Sequence, residues 1–227
     1  AAESLDRSLR STEEVEEALH LPLAATIPEI IGDERAALPQ ITRAFPVSPY
    51  AECYRFLRSA ILNNTRGEIK SLTCTAASPS QGSSTTIANL AISHAEANRR
   101  VILVDVDLRR PVQHTNFGIK NDIGLSHVLT RQADLNAAIK QTEIENLFLL
   151  TAGYPVDNPS ALVNSDQMRE LLHQIKDKFD FVLVDTPPVM AFSDSITLSR
   201  LVEGTFLVVR VGDSSRGNEA QAKATLE

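Results

Sequence analysis

Ser71-Leu72-Thr73-Cys74-Thr75-Ala76-Ala77-Ser78-Pro79-Ser80-Gln81-Gly82-Ser83-Ser84-Thr85-Thr86 decides the fold. Five residues of strand character (71–75) run into a Pro/Ser/Gly loop. A helical pattern then begins at about 84 and continues to 98, with Ile87, Leu90, Ala91 and His94 at helical spacing. Strand, glycine-bearing loop and helix N-terminus form a natural anion cradle, because backbone N–H groups and the helix dipole both point at the loop. The phosphate-loop pattern G-x-x-x-x-G-K-[ST] is met at Gly82 and Ser84, while Ser83 stands where the lysine belongs. Alone, the segment fits an ordinary Ser/Thr-rich strand-to-helix turn as well as a phosphate site.

Outward from this stretch the same rhythm repeats. Val101–Val104, Leu147–Leu150, Phe181–Val184 and Phe206–Val209 are unbroken apolar runs, as expected of strands buried on both faces. Helical patterns lie between them, notably Met168, Leu171, Leu172, Ile175 and Phe179. The alternation predicts an α/β fold with a mostly parallel central sheet and helices on both faces. Sites in such sheets lie at the carboxyl ends of the strands. Asp105 and Asp107 follow one buried run and Asp185 follows another. Each aspartate could simply cap a turn, and Arg109 with Arg110 could be a solvated pair. Three strand ends converging on one face point instead to a P-loop NTPase-like site, in which an aspartate beyond a buried strand orders Mg²⁺ and its waters.

The first 48 residues differ. Ser11 with Glu14 suggests a capping box before a short helix at about 12–20. Leu21 to Pro28 reads as a short apolar strand between prolines, and 29–48 as a linker or surface loop. A helix is predicted over roughly 49–65. The resulting organisation is an N-terminal segment and linker over 1–48 and one domain over 49–227.

Composition bounds the rest. Against 29 acidic residues stand 22 Lys and Arg, a net charge of −7, which argues against a nucleic-acid partner. Cys53 and Cys74 are too few for a disulfide framework and no zinc-type spacing occurs, so a reducing compartment is the default. His94 and His173 read as structural or surface residues and Cys74 as a core residue.

Taken together, the motifs resemble the bacterial tyrosine kinases of capsule and exopolysaccharide synthesis, the cytoplasmic part of polysaccharide co-polymerases. The resemblance is carried by Ala77–Thr86, by Asp105 to Pro111 (D-V-D-L-R-R-P), by Asp185 to Pro188 (D-T-P-P) and by Asn158-Pro159-Ser160-Ala161-Leu162. It implies that Gln81, Gly82, Ser83, Ser84 and Thr85 bind ATP or ADP, and that Ser84, Asp105 and Asp185 hold Mg²⁺. It also implies that Asp105 and Asp107 orient an attacking tyrosine hydroxyl. Glu52, Arg55 and Arg58 match the family's E-x-x-R-x-x-R motif, which docks on a neighbouring subunit and builds a ring. The segment after Arg10 is similar to the one that follows the family's second transmembrane helix. This places the chain at the cytoplasmic face of a bacterial inner membrane, beside a transmembrane co-polymerase part and the polymerase and export machinery.

Two departures qualify the resemblance. Serine at 83 cannot neutralise β- and γ-phosphate charge, which predicts weak nucleotide binding and weak or absent phosphoryl transfer: a pseudokinase. The alternatives are an active kinase with a rearranged site and a nucleotide-independent scaffold. The tyrosines are Tyr50, Tyr54 and Tyr154, so no counterpart of the family's tail tyrosines lies within these residues.

Overall fold

The structure, a computed structural model, describes residues 8–64 and 69–227. Six strands form one sheet: β1 (Ser71–Ala76), β2 (Val101–Asp105), β3 (Ile139–Gln141), β4 (Leu147–Leu150), β5 (Phe181–Asp185) and β6 (Gly204–Val208). Their order is β3-β4-β2-β5-β1-β6, with β3 antiparallel to β4 and every other pair parallel. The helices before the central strands are α1 (Thr12–Leu19), α2 (Ile41–Ala44) and α3 (Pro49–Asn64), with a 3₁₀ helix at Gly32–Gln40. Between strands lie α4 (Ser83–Glu96), α5 (Gln113–Asn116), α6 (Leu125–Leu129), α7 (Leu135–Ala138), α8 (Pro159–Val163), α9 (Asp166–Lys178) and α10 (Asp194–Ser199). The last helix is α11 (Arg216–Leu226).

Side chains on a strand alternate between faces, and here each face has its own core. Leu103, Leu149 and Leu183 pack with Leu57 and Ile61 of α3 and Ile87 and Leu90 of α4. Val104, Leu150, Val182 and Val184 pack on the other face with Leu125, Met168, Leu171, Leu172 and Leu198. Burial on both sides is why β2, β4 and β5 read as continuous apolar runs; β6, expected to be buried likewise, lies at the sheet edge and is only half-buried. The short β3 escaped detection because its three residues are only partly buried or exposed.

The amino-terminal region departs from expectation in three places. Helix α1 forms as predicted: the Ser11 hydroxyl accepts from the Glu14 amide at 3.3 Å. The return bond shifts by one residue, because the Glu14 carboxylate takes the Arg10 amide at 2.9 Å. The predicted strand between Pro22 and Pro28 does not form, and β6 remains an edge strand. Leu23, Ala24 and Ile27 instead line a cavity of about 990 Å³ against β6 and α3, and two prolines deprive the segment of ladder donors.

Residues 29–48, read as a linker or loop, contain the 3₁₀ helix and α2. Their anchor is Asn89, buried on α4. Its side chain accepts from the Thr42 amide at 3.0 Å and donates to the Leu38 carbonyl at 2.9 Å. Backbone groups held by a distant amide leave no apolar period in the sequence.

One backbone contact fixes the start of α6 against the segment that follows β4. A Cβ on Gly124 would lie 2.2 Å from the Thr151 carbonyl oxygen. Gly124→Ala is expected to cost about 3 kcal/mol, because backbone cannot yield as a side chain can. Urea denaturation measures it, and an unchanged midpoint refutes the packing argument.

Candidate active site

Strand β1 delivers the chain to a loop that is pinned from below. Gly82 has φ +97°, a left-handed conformation that brings the chain into the first turn of α4. The amides at that helix start have no intrahelical acceptors, so the turn presents donors and a positive dipole end. Gln81 is buried and its side chain is committed inward. Its carbonyl oxygen accepts from the Ser78 amide at 2.9 Å. Its NH₂ donates to Ser214 Oγ at 2.7 Å and to Glu219 Oε1 at 2.9 Å. Gln81 therefore offers a ligand its backbone only. Burial raises the carboxyl pKa of Glu219, against the hydrogen bonds from Gln81 and Ser214. Gln81→Ala should cost about 2 kcal/mol by orphaning these buried groups. Hydrogen exchange at the Ser78 amide should rise with it, and unchanged protection would count against the anchor.

Facing the loop are two buried carboxylates on neighbouring strands, Asp105 and Asp185, directly opposite in the β2–β5 register. Asp105 Oδ2 accepts from the amides of Val112 at 3.1 Å and Gln113 at 2.9 Å, while its buried Oδ1 has no partner. Asp185 Oδ1 accepts from Ser84 Oγ at 3.1 Å, and Oδ2 from Gln113 Nε2 at 2.6 Å. The same Gln113 amide donates to the Ser84 carbonyl at 3.0 Å. Asp107 is half-buried, and its Oδ1 accepts from the amides of Arg109 at 3.2 Å and Arg110 at 2.9 Å. Burial, then the Asp185 charge, pushes Asp105 well above the usual carboxylate range. Burial raises Asp185 to about 7, against the hydrogen bonds from Gln113 and Ser84.

The oxygens of Ser84, Asp105 and Asp185 are hard donors, and one is left orphaned. That set suits Mg²⁺, which takes one or two carboxylates and fills its shell with phosphate and water. Among the described residues no three acidic, His or Cys side chains close on one point, so the protein alone makes no complete metal cage.

A family profile described as an AAA domain (AAA_31) matches residues 80–215. Tyrosine-protein kinase YwqD of Bacillus subtilis (strain 168) is 36% identical over 182 residues, covering 80% of this chain and 77% of the relative. The crystal structure of the chimerical protein CapA2B2 superposes with a TM-score of 0.88 at 32% identity, covering 95% of this chain and 92% of that one. The chain belongs to the bacterial tyrosine-protein kinases. A more distant likeness is the septum site-determining protein MinD of Pyrococcus horikoshii OT3, solved with Mg-ADP. It has a TM-score of 0.54 at 26% identity over 62% of this chain and 57% of that one.

Within this tyrosine-kinase domain the structure brings Gly82, Ser83, Ser84 and Thr85 to one rim with Asp105, Asp107 and Asp185. It does not bring Glu52, Arg55 and Arg58 there. Arg55 pairs with Glu52 at 2.5 Å and donates to the Pro46 carbonyl at 2.6 Å. Arg58 donates to the backbone and, at 3.1 Å, to the hydroxyl of Ser93. Ser93 lies near the far end of α4, about 15 Å from Ser83 at 1.5 Å per residue. The kinase domain's own E-x-x-R-x-x-R face is thus remote from its own phosphate loop.

His94 behaves as the core residue the sequence suggested. It stacks on Phe181 at 4.0 Å, and burial, followed by the charges of Arg58 and Arg99, lowers its pKa to about 3. Sequence reasoning missed Gln113, Ser214, Glu219 and Asp194. Each lies far along the chain from the partner that makes it matter, and none belongs to a recognisable spacing.

Proposed function

We propose that this chain is a nucleotide-responsive tyrosine-kinase domain with attenuated phosphoryl transfer that regulates capsule or exopolysaccharide polymerisation and export. One observation carries the reading. Ser84, Asp105 and Asp185 form an intact oxygen-donor cluster at a helix N-terminus, while serine stands in the lysine position of the loop. The cluster supports Mg²⁺ with ATP or ADP. Ser83 supports weakened binding and a pseudokinase role.

In this proposal the loop amides would bind the phosphates, and Ser84 directly and Asp185 through water would hold the metal. Bound Mg²⁺ would neutralise phosphate charge. Asp105 and Asp107 would orient an incoming tyrosine hydroxyl. Residues 1–48 are the segment leading from a transmembrane co-polymerase part, and 49–227 the kinase-like domain. Among the described residues no helix is long and apolar enough to cross a membrane. Placement at the cytoplasmic face of an inner membrane rests on the family resemblance. Homo-oligomerisation rests on the exposed Glu52, with its side chain 66% accessible, and on the Arg55 and Arg58 bonds, which lead to Pro46 and to the far end of α4 while Tyr54 of the same helix reaches Thr86 beside the loop.

Calorimetric titration with Mg·ADP and Mg·ATP tests the reading. Micromolar binding by the unmodified domain supports nucleotide-controlled assembly. Absence of binding, with recovery in Ser83→Lys, would hand the function to a nucleotide-independent scaffold. Turnover that vanishes in Asp107→Asn would instead favour the active-kinase reading, to which the intact carboxylates lend weight.

A further inference from the structure

Asp194, the first residue of α10, is wholly buried. A buried carboxylate persists only where it is paired and hydrogen-bonded. Its Oδ2 is paired with an Arg109 guanidinium nitrogen, and its Oδ1 accepts from Ser160 Oγ at 2.7 Å. The other terminal nitrogen of Arg109 donates to the same Ser160 Oγ at 2.8 Å. The guanidinium also lies 4.1 Å from the centroid of the Phe192 ring. One planar group therefore ties three loops together: the turn after β2, the start of α8 after β4, and the entry to α10 after β5. Asn158 fixes Ser160 for this task by capping α8, accepting from the Ala161 amide at 3.2 Å.

The two arginines of D-V-D-L-R-R-P now separate. Arg110 is exposed. Arg109 is turned inward, with its side chain 22% accessible. Its own backbone amide, with that of Arg110, donates to Asp107 Oδ1. The guanidinium is a rigid fork, and a fork held at two points and stacked on a ring has little freedom to swing. Fixing it fixes the peptide units on which the Asp107 carboxylate rests.

We propose that Asp194 is a positioning residue for Asp107, acting through Arg109 with Ser160 as the third point of a clamp. The inference deepens the kinase-site reading of Asp107 and rests on it. The buried Val106 and Leu108 hold the turn on either side of Asp107, but without the clamp the Arg109 and Arg110 amides on which its carboxylate rests can shift it out of register with Asp105 and Asp185. A carboxylate that must meet a metal-bound phosphate or a hydroxyl tolerates displacement of only a fraction of an ångström.

The test compares Asp194→Asn, Arg109→Lys and Ser160→Ala with the unmodified protein by two measurements. The first is amide hydrogen exchange at Arg109 and Arg110, with the β2 amides as reference. The second is the ratio of ADP affinities with and without Mg²⁺. In Asp194→Asn the two turn amides should exchange about tenfold faster while β2 stays protected. The Mg²⁺-dependent gain in ADP affinity should fall by about tenfold, as for other groups that orient a site from behind. Arg109→Lys should match it, since a point charge cannot bridge two acceptors, and Ser160→Ala should fall between. If Asp194→Asn does not fold, the other two variants decide. Exchange that rises equally in β2, or turn amides that do not change, overturns the proposal; so does an unaltered Mg²⁺ gain. If the unmodified protein binds no nucleotide, the functional reading fails while the exchange measurement still judges the clamp.

Discussion

Ser83→Lys is expected to raise phosphoryl transfer by about 10²–10³, the usual worth of one preorganised electrostatic group at a developing charge. The site explains why so much hangs on one side chain. Asp105, Asp107 and Asp185 all face the rim, and the first residue of α4 adds no cation to balance them and an incoming polyphosphate. A lysine ammonium there would sit among the phosphate oxygens, where charge accumulates during transfer. Ser83 is only partly buried, and the backbone carbonyl that takes the Cys74 thiol at 3.5 Å is untouched by the change. The cost is small: a cation near a helix N-terminus opposes the dipole by about 0.3–1 kcal/mol. The nucleotide-free variant should therefore melt slightly lower, and the nucleotide-bound variant clearly higher. Single-turnover transfer from labelled ATP, alongside calorimetry, measures both. A variant with unchanged affinity and rate would show that the missing charge is not what limits this site.

The second large effect is a competition between protons and metal at the paired carboxylates. Asp185 sits at about 7, raised chiefly by burial, and Asp105 is raised by burial and then by the Asp185 charge. Below pH 7 Asp185 is mostly protonated and offers a cation and its water shell no charge. Mg·ADP affinity should therefore fall as pH falls, by about thirtyfold between pH 8 and pH 5.5 if Asp185 alone must ionise. It should fall more steeply if Asp105 must ionise too. Binding at pH 6 should release protons to buffer. The sign for stability follows from the same shift. Without metal, the native state holds a proton that the unfolded chain releases above its ordinary carboxylate pKa. This contribution is fully present below about 3.8 and is lost as pH rises through 7. Mg²⁺ reverses the trend by favouring the ionised form, so it should raise the melting temperature at pH 8 and leave it unchanged near pH 5. Asp185→Asn should remove this part of the pH dependence. An affinity that stays flat from pH 8 to pH 5.5 would show that the buried pair takes no part in metal binding.

The sheet was legible because β2, β4 and β5 are apolar on both faces, while β1 marks itself by strand-forming residues that run into a glycine loop and the half-buried β6 by its Phe206–Val208 run. Ser84, Asp105 and Asp185 were legible for a related reason: a polar residue directly after a buried strand or opening a helix is conspicuous. Where backbone or single side chains do the holding, legibility failed. Residues 29–48 are organised by Asn89, one amide on another helix. The stretch between the prolines has the apolar content of a strand, yet lines a cavity instead of joining β6. Gln113 reaches Asp185 across 72 positions, Arg109 reaches Asp194 across 85, and Gln81 reaches Glu219 across 138. No local period encodes such pairs.

By itself the sequence determined that strands would end in carboxylates, that a glycine turn would open a helix beside them, and that no lysine would stand at 83. Those properties are local: each depends on a few neighbouring residues and on the twofold and 3.6-fold periods of the backbone. Only the tertiary structure decided that β5 lies between β1 and β2. That order sets Asp185 opposite Asp105 and within reach of Ser84. Such an order is a matter of contacts between segments distant in the chain, which no single segment contains. The charge pairing, the raised pKa values and the clamp on Arg109 all follow from that choice.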